Sequence, residues 1–160
     1  MRLSRHSSPF GFTLAEMLIV VAIIGILMAV SLPRFGRIRD QGQMAGAMTR
    51  LTRAVFAARQ SAIQRGKRSY FKHNDSHVWV TLDTTGNASD SVVITAALDL
   101  KTLYGVEITA PSGLTSIEYD PRGVSTQSSK QIFRFQHIAS GRVDSLCISK
   151  LGNTIREACP

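Results

Sequence analysis

The sequence lacks the features on which most enzymes and metal proteins depend. Its 160 residues are too few for a two-domain enzyme with separate cofactor and substrate halves. It contains no G-x-S-x-G run, no G-x-x-x-x-G-K-[ST] run and no locally paired carboxylates, so neither a nucleophile elbow nor a phosphate loop is encoded. Two cysteines supply too few ligands for a structural zinc ion. We therefore expect no catalysis and no cofactor.

Acidic residues are also scarce, and the imbalance is local. The chain has 19 lysines and arginines against 11 acids, a formal net charge of +8. Residues 34–72 hold ten of the basic residues and one acid, Asp40, whereas residues 73–160 hold seven basic residues and nine acids. The basicity thus belongs to one stretch and not to the whole surface. With 44% hydrophobic residues the composition excludes wholesale disorder.

What the chain does have is a long apolar run near its N-terminus. From Phe12 to Leu32 the only charge is Glu16, and 21 helical residues span about 31 Å, close to the thickness of a bilayer core. The flank before the run carries Arg2, Arg5 and no acid. By the positive-inside rule this flank stays in the cytoplasm, and residues 34–160 lie outside it.

Two readings of the apolar run are open. An ordinary secretory signal would be cut after Ala29-Val30-Ser31, so that the mature chain begins at Leu32. The run is longer than a signal core of about 7 to 15 residues, however, and Glu16 costs about 2.5 to 3.5 kcal/mol in hydrocarbon unless it has a partner. Cleavage after Gly11 would create such a partner, because it frees an amino group on Phe12 for the carboxylate of a neighbouring copy.

The residues Gly11-Phe12-Thr13-Leu14-Ala15-Glu16, followed by an apolar helix with Pro33 near its end, resemble the signal of type IV pilins and type II secretion pseudopilins. The resemblance implies cleavage after Gly11 by a prepilin peptidase, N-methylation of Phe12, and a role for Glu16 in assembly. It also implies a single-pass inner-membrane protein with a periplasmic domain, which joins other pilins or pseudopilins in a filament.

The hydrophobic pattern divides the rest of the chain. We expect a leader at 1–11, a membrane and filament-core helix at 12–32, an amphipathic helix at 33–65 and a β-rich globular domain at 66–160. The amphipathic helix is indicated by apolar residues at steps of three and four, and Gly66 is a plausible stop. The apolar stripe comprises Met44, Met48, Leu51, Val55, Ala58 and Ala62.

After Gly66 the pattern alternates, as in β-strands separated by turns. We expect strands around Val78–Leu82, 92–96, Tyr104–Ile108, 114–119, 132–135 and 143–148, in one antiparallel sheet packed on the helix. The fold class is therefore α+β and pilin-like: a long N-terminal helix, first transmembrane and then amphipathic, on an antiparallel sheet.

Two later runs of residues indicate which group of pilin-like proteins the chain resembles. Residues 117–123 (IEYDPRG) and 147–152 (CISKLG) are similar to the downstream pattern of the GspH/FimT group of minor pilins and pseudopilins. The resemblance implies a subunit for assembly or priming of a type IV pilus or a type II secretion pseudopilus. Because an exported domain meets an oxidising compartment, Cys147 and Cys159 are expected to form a disulfide.

The alternative function is DNA binding during natural transformation, which some FimT-like proteins perform. A basic cluster could contact phosphates while Tyr70 and Phe71 stack on bases; it comprises Arg65, Lys67, Arg68 and Lys72. The family motif for DNA binding, G-R-x-R, is absent, because Asp144 stands where the second arginine belongs in the run that begins at Gly141-Arg142. A solvated helix face is the more ordinary explanation of the basic run, and contact with a membrane surface is a further alternative.

One further cluster could hold a metal. His73, Asp75 and His77 would share a side if their segment were extended. The polar residues between them favour a solvated turn instead, and we expect no metal.

Overall fold

A long helix forms the N-terminal part of the protein. The computed structural model describes residues 11–85, 91–113 and 115–155, without the side chains of residues 32–34. Helix α1 (Leu14–Arg65) has 52 residues. It ends before Gly66, whose φ of +60° is the left-handed conformation that glycine adopts without strain. The predicted helix and its end at Arg65 are thus confirmed, while the predicted leader lies outside the described residues except for Gly11.

The chain forms two compact units that divide between Arg39 and Asp40. In the first unit every described side chain from Gly11 to Ser31 is exposed. An 18-residue window in this part of α1 has a mean hydropathy of 2.6, and none of it is buried, so it is long and apolar enough to cross a membrane. The core of the protein lies in the second unit.

The second unit contains two antiparallel sheets of four strands each. The first sheet has the order β3-β2-β1-β5 and the second the order β4-β6-β7-β8. A short helix, α2 (Leu100–Tyr104), precedes β4. The strands are β1 (Ser69–Asn74), β2 (His77–Asp83), β3 (Ser91–Asp99), β4 (Val106–Ala110), β5 (Thr115–Tyr119), β6 (Gln131–His137), β7 (Val143–Ile148) and β8 (Thr154–Ile155).

The strand predictions were wrong at four places. They gave one sheet where there are two, because alternation identifies strands but not their partners. They missed β1, which overlaps the predicted basic cluster, and the short strand β8, and they placed Tyr104 in a strand. Residues 100–104 are helical instead, since the Asp99 side chain caps the helix by accepting a hydrogen bond from the Lys101 N–H, and Gly105 ends it at φ 63°.

The apolar stripe of α1 packs as predicted. All six of its residues are buried, together with Ala47. The two sheets supply the other side of the core. The largest fully buried side chains there are Tyr119, Phe71, Phe133 and Phe135, and Leu51 on α1 is equally inaccessible. Aromatic rings bury the most apolar area per residue, so these contacts contribute most to the stability of the domain.

A buried histidine fixes α1 to the second sheet. His137 at the end of β6 is 3% exposed. Its Nδ1 lies 3.2 Å from the backbone N–H of Ser140, which donates to it, so Nε2 carries the ring hydrogen and donates to Oε1 of Gln43 at 2.9 Å. Asp40 Oδ1 lies 3.9 Å from the same Nε2. The start of the packed half of α1 is therefore tied to the sheet by a satisfied polar contact.

Candidate assembly site

The N-terminal end of α1 is organised around Thr13 and Glu16. The Thr13 hydroxyl accepts a hydrogen bond from the Glu16 N–H at 3.2 Å, and Glu16 Oε2 accepts one from the Thr13 N–H at 3.4 Å. This reciprocal pair is a capping box, which satisfies two backbone donors that a helix start would leave free. Sequence reasoning missed it, although Thr followed three residues later by Glu, just before an apolar run, is its signature.

The capping box presents the Glu16 carboxylate at the start of an exposed apolar surface. Glu16 is the only charge between Phe12 and Ser31, and the Phe12 side chain is 72% exposed. Ser31 adds no unsatisfied group, since its hydroxyl donates to the Leu27 carbonyl at 2.8 Å. Gly11 and Phe12 precede the helix, so the peptide bond between them is outside regular structure. The arrangement offers one carboxylate, one peptide bond outside regular structure and the exposed apolar segment 12–31.

Three members of the predicted basic cluster are exposed and Lys72 is half-buried, and most of them are engaged within the chain. Lys67 Nζ donates to the Thr84 carbonyl at 2.7 Å, and Arg68 pairs with Glu118 at 3.2 Å. Lys72 Nζ lies 5.5 Å from the centroid of the Tyr70 ring. Arg65 stands in the last turn of α1. The cluster is therefore partly neutralised before any partner approaches.

The aromatic residues beside the cluster are buried. Tyr70 is 7% exposed and Phe71 is fully buried. The ring of Phe71 makes an edge contact with Phe133, with centroids 6.0 Å apart. Neither ring is free to stack on a nucleobase, so the stacking contacts expected for nucleic acid are not formed by these residues.

The three candidate metal ligands point to different environments. His73 on β1 is buried between Phe71 and Phe133, and both its ring nitrogens lack a hydrogen-bond partner. Asp75 occupies the turn to β2 with φ 50°, and exposed His77 lies 4.0 Å from Asp99. Burial lowers the pKa of His73, because the charged ring would lose its hydration. The hairpin therefore separates the three side chains.

Two acidic turns of the domain are held by local hydrogen bonds. The Val124 and Arg122 N–H groups both donate to Oδ1 of Asp120, at 2.9 and 3.0 Å, and these bonds lower the pKa of Asp120. The Thr102 hydroxyl donates to Asp99 and lowers its pKa to about 2. Asp120 accepts from its own turn, and Asp99 accepts from its helix cap and from the Ser76 side chain, so both carboxylates are structural.

The cysteine pair falls partly outside the described residues. Cys147 is 3% exposed on β7, next to β8 in the second sheet. Cys159 lies beyond residue 155, so its bridge to Cys147 stays a prediction. Mass spectrometry of the exported protein that showed two free thiols would refute it.

Comparison with known proteins gives two family matches. Residues 8–32 match the prokaryotic N-terminal methylation motif. Residues 47–152 match the type II transport protein GspH.

Individual relatives agree. The type IV major pilin protein PilE1 of Neisseria gonorrhoeae is 28% identical over 138 residues, which are 86% of this chain and 56% of that protein. The major pilin PilA of Myxococcus xanthus is 44% identical over 62 residues, 38% of this chain and 28% of that one. The chain thus matches little more than half the length of the first relative and less of the second.

The solved structure of the type IV minor pilin FimU of Pseudomonas aeruginosa has the same fold. It superposes with a TM-score of 0.56 over 76% of this chain and 92% of that chain, at 12% identity. The predicted pilin-like architecture is therefore confirmed. Since the GspH match covers more than half of the residues, and the methylation motif coincides with the capped, exposed start of α1, this chain belongs to the GspH family of pilin-like proteins.

Proposed function

We propose that the chain is a minor pilin or pseudopilin, a structural subunit that assembles or primes a type IV pilus or a type II secretion pseudopilus. The observation that carries the proposal is the exposed apolar segment 12–31 with a single carboxylate near its start. Since no part of this segment is buried among the described residues, it requires a partner outside the chain, either lipid or the same helix of other subunits.

The chemistry of the N-terminus follows from this proposal. A prepilin peptidase cleaves after Gly11, and the new Phe12 amino group becomes N-methylated. Before assembly the chain is a single-pass protein of the inner membrane. In the filament the Glu16 carboxylate pairs with the amino group of a neighbouring subunit, because a lone charge in apolar surroundings is costly.

The orientation places residues 34–160 in the periplasm. Arginines flank the apolar stretch on both sides, Arg2 and Arg5 before it and Arg34, Arg37 and Arg39 after it. The number of arginines therefore does not by itself keep the N-terminal flank in the cytoplasm, and the leader with its cleavage site determines the orientation in this proposal. Protease added to intact spheroplasts should digest the C-terminal domain; protection of that domain would reverse the assignment.

The decisive variant is Glu16→Gln, which removes the charge and keeps an oxygen able to accept from the Thr13 N–H. We expect it to insert in the membrane but to be depleted at least tenfold from the filament fraction, since an amide cannot neutralise the neighbouring amine. The matched control is Thr13→Ala, which removes the other half of the capping box and keeps the charge. If Glu16→Gln entered filaments as well as the unsubstituted chain, the assembly role would be wrong.

A further inference from the structure

The second unit has a groove between one flank of α1 and the edge strand β3. The groove encloses about 220 Å³. Its floor is apolar and its outer rim carries two arginines. The residues that line it are Arg50, Arg53, Ala54, Ala57, Val78 and Leu98, with Thr95 and Ala96 of β3. We call it the α1–β3 groove.

The strand above the groove is unusually apolar for an exposed edge. Residues 92–97 of β3 are all exposed, and Val92 and Val93 are 57% and 56% accessible. Exposed edges usually carry charges that discourage contacts. The pairing with β2 shifts register twice, next to Val80. Such bulges twist an edge away from continuous pairing, so a partner would dock through its side chains and not as an added strand.

The rim of the groove is positively charged and held in place. Arg50 Nε donates to the Tyr104 hydroxyl at 3.1 Å, and the Tyr104 ring lies against Gly46 of α1. Among the described residues no carboxylate lies within ion-pair distance of Arg50 or Arg53. Guanidinium groups stay charged at any physiological pH and favour carboxylates geometrically. The rim therefore fits an acidic ligand.

We propose that the α1–β3 groove receives a short segment of a different filament subunit, in which acidic side chains alternate with apolar ones. This inference rests on the proposed function, since it names a partner of the assembled chain. Carboxylates would pair with Arg50 and Arg53, and the apolar side chains would cover Ala54, Ala57 and exposed Ala96. The arginine rim requires an acidic partner, so the partner is a subunit whose sequence differs from that of this basic chain.

A second copy is a poor occupant. Three acids of its domain are already paired within their own chain, Glu118 with Arg68 at 3.2 Å, Glu107 with Lys101 at 3.7 Å and Asp120 with Arg122 at 2.8 Å. The net charge of +8 adds repulsion between copies. Nucleic acid would supply phosphates but nothing apolar to cover the floor. An acidic, partly apolar protein segment can both pair with the arginine rim and cover the apolar floor.

The test uses the full chain in detergent micelles and a labelled hexapeptide of alternating glutamate and leucine. We expect this peptide to bind at least tenfold more tightly than its glutamine–leucine counterpart, with binding weakened by salt. Arg53→Glu should abolish the preference for the glutamate–leucine peptide over the glutamine–leucine peptide. Arg142→Glu, an exposed arginine on the β6–β7 hairpin with the same change in net charge, should keep it.

Ala57→Trp offers a second variant that leaves charge unchanged and fills the groove, so it should weaken binding of the acidic peptide at least tenfold. Equal binding of the two peptides would overturn the proposal. So would an Arg142→Glu effect as large as that of Arg53→Glu, a groove-dependent dimer of the chain in sedimentation, or full competition by a duplex oligonucleotide.

Filament fractions separate this inference from the proposed function. If the unsubstituted chain is absent from filaments, the proposed function fails. If it is present and Arg53→Glu is incorporated equally well, the groove inference alone fails. The expected result is incorporation of the unsubstituted and Arg142→Glu chains and depletion of the Arg53→Glu chain.

Discussion

The two halves of α1 have different surroundings, although they belong to one helix. In residues 14–31 every side chain is exposed and almost every one is apolar. Between Met44 and Ala62 the apolar residues at steps of three and four are buried, and Phe56 on another face is 62% exposed. The first half has no apolar partner within the described chain, whereas the second has the two sheets. The sequence thus specifies an intermolecular surface in one half and an intramolecular core in the other.

The largest expected effect tests the core half. Leu51→Ala removes a fully buried side chain and should lower the free energy of unfolding by about 2 to 5 kcal/mol. Ile24→Ala, in the exposed half, should leave it unchanged. Denaturant titration of the full chain in detergent, followed by the fluorescence of Trp79 on β2, measures both. Equal effects would erase the distinction between the halves.

An intermediate effect comes from His73, which sits in the same core without a hydrogen bond. Burial lowers its pKa, so folding favours the neutral ring. Stability is therefore complete above the unfolded pKa of about 6.5 and is lost as pH falls below it. His73→Phe should stabilise the domain by about 1 kcal/mol at neutral pH, because it removes two unsatisfied nitrogens, and by more at pH 5.

The control for this variant is His77→Gln, which replaces an exposed histidine and should leave the acid sensitivity in place. Thermal unfolding at pH 7.5 and pH 5 distinguishes the two. If the unsubstituted domain were as stable at pH 5 as at pH 7.5, His73 would not titrate as its burial implies.

The smallest effect contrasts two glycines of α1. A Cβ at Gly42 meets nothing within 4 Å, so Gly42→Ala should stabilise the helix by about 0.5 to 1 kcal/mol. A Cβ at Gly46 would lie 2.7 Å from the Tyr104 ring. Gly46→Ala should therefore displace the ring and destabilise the domain by about 1 kcal/mol, despite the same gain in helix propensity. Thermal unfolding with the same sign for both would contradict the packing at Tyr104.

Periodicity predicted the parts of the fold that local sequence controls. The α1 stripe, the stop at Gly66 and the strands at β2, β6 and β7 follow from apolar spacing and turn residues. The division into two sheets does not follow from spacing, because it depends on which strands distant in sequence pair with each other. Strand β1 was missed because Lys72 and Arg68 made its surroundings read as a charged surface, while Tyr70, Phe71 and His73 in the same strand are buried.

The candidate assembly site could be proposed from the sequence because its signal is contiguous, and the roles of its residues stay predictions. Gly11, Phe12 and Glu16 could be named from six consecutive residues and the apolar run after them. The capping role of Thr13 was not predicted, although Thr13 is one of the same six residues. The α1–β3 groove could not be predicted at all, since Arg53 and Val78 come together only in three dimensions.

The most direct test of the central claim is the N-terminus and mass of the chain recovered from a filament fraction. The account predicts a product that begins with N-methylated Phe12 and keeps the whole apolar half of α1. A product that begins at Leu32 and is found free in the periplasm would contradict it, because the exposed apolar segment 12–31 would then have been removed before any subunit could contact it.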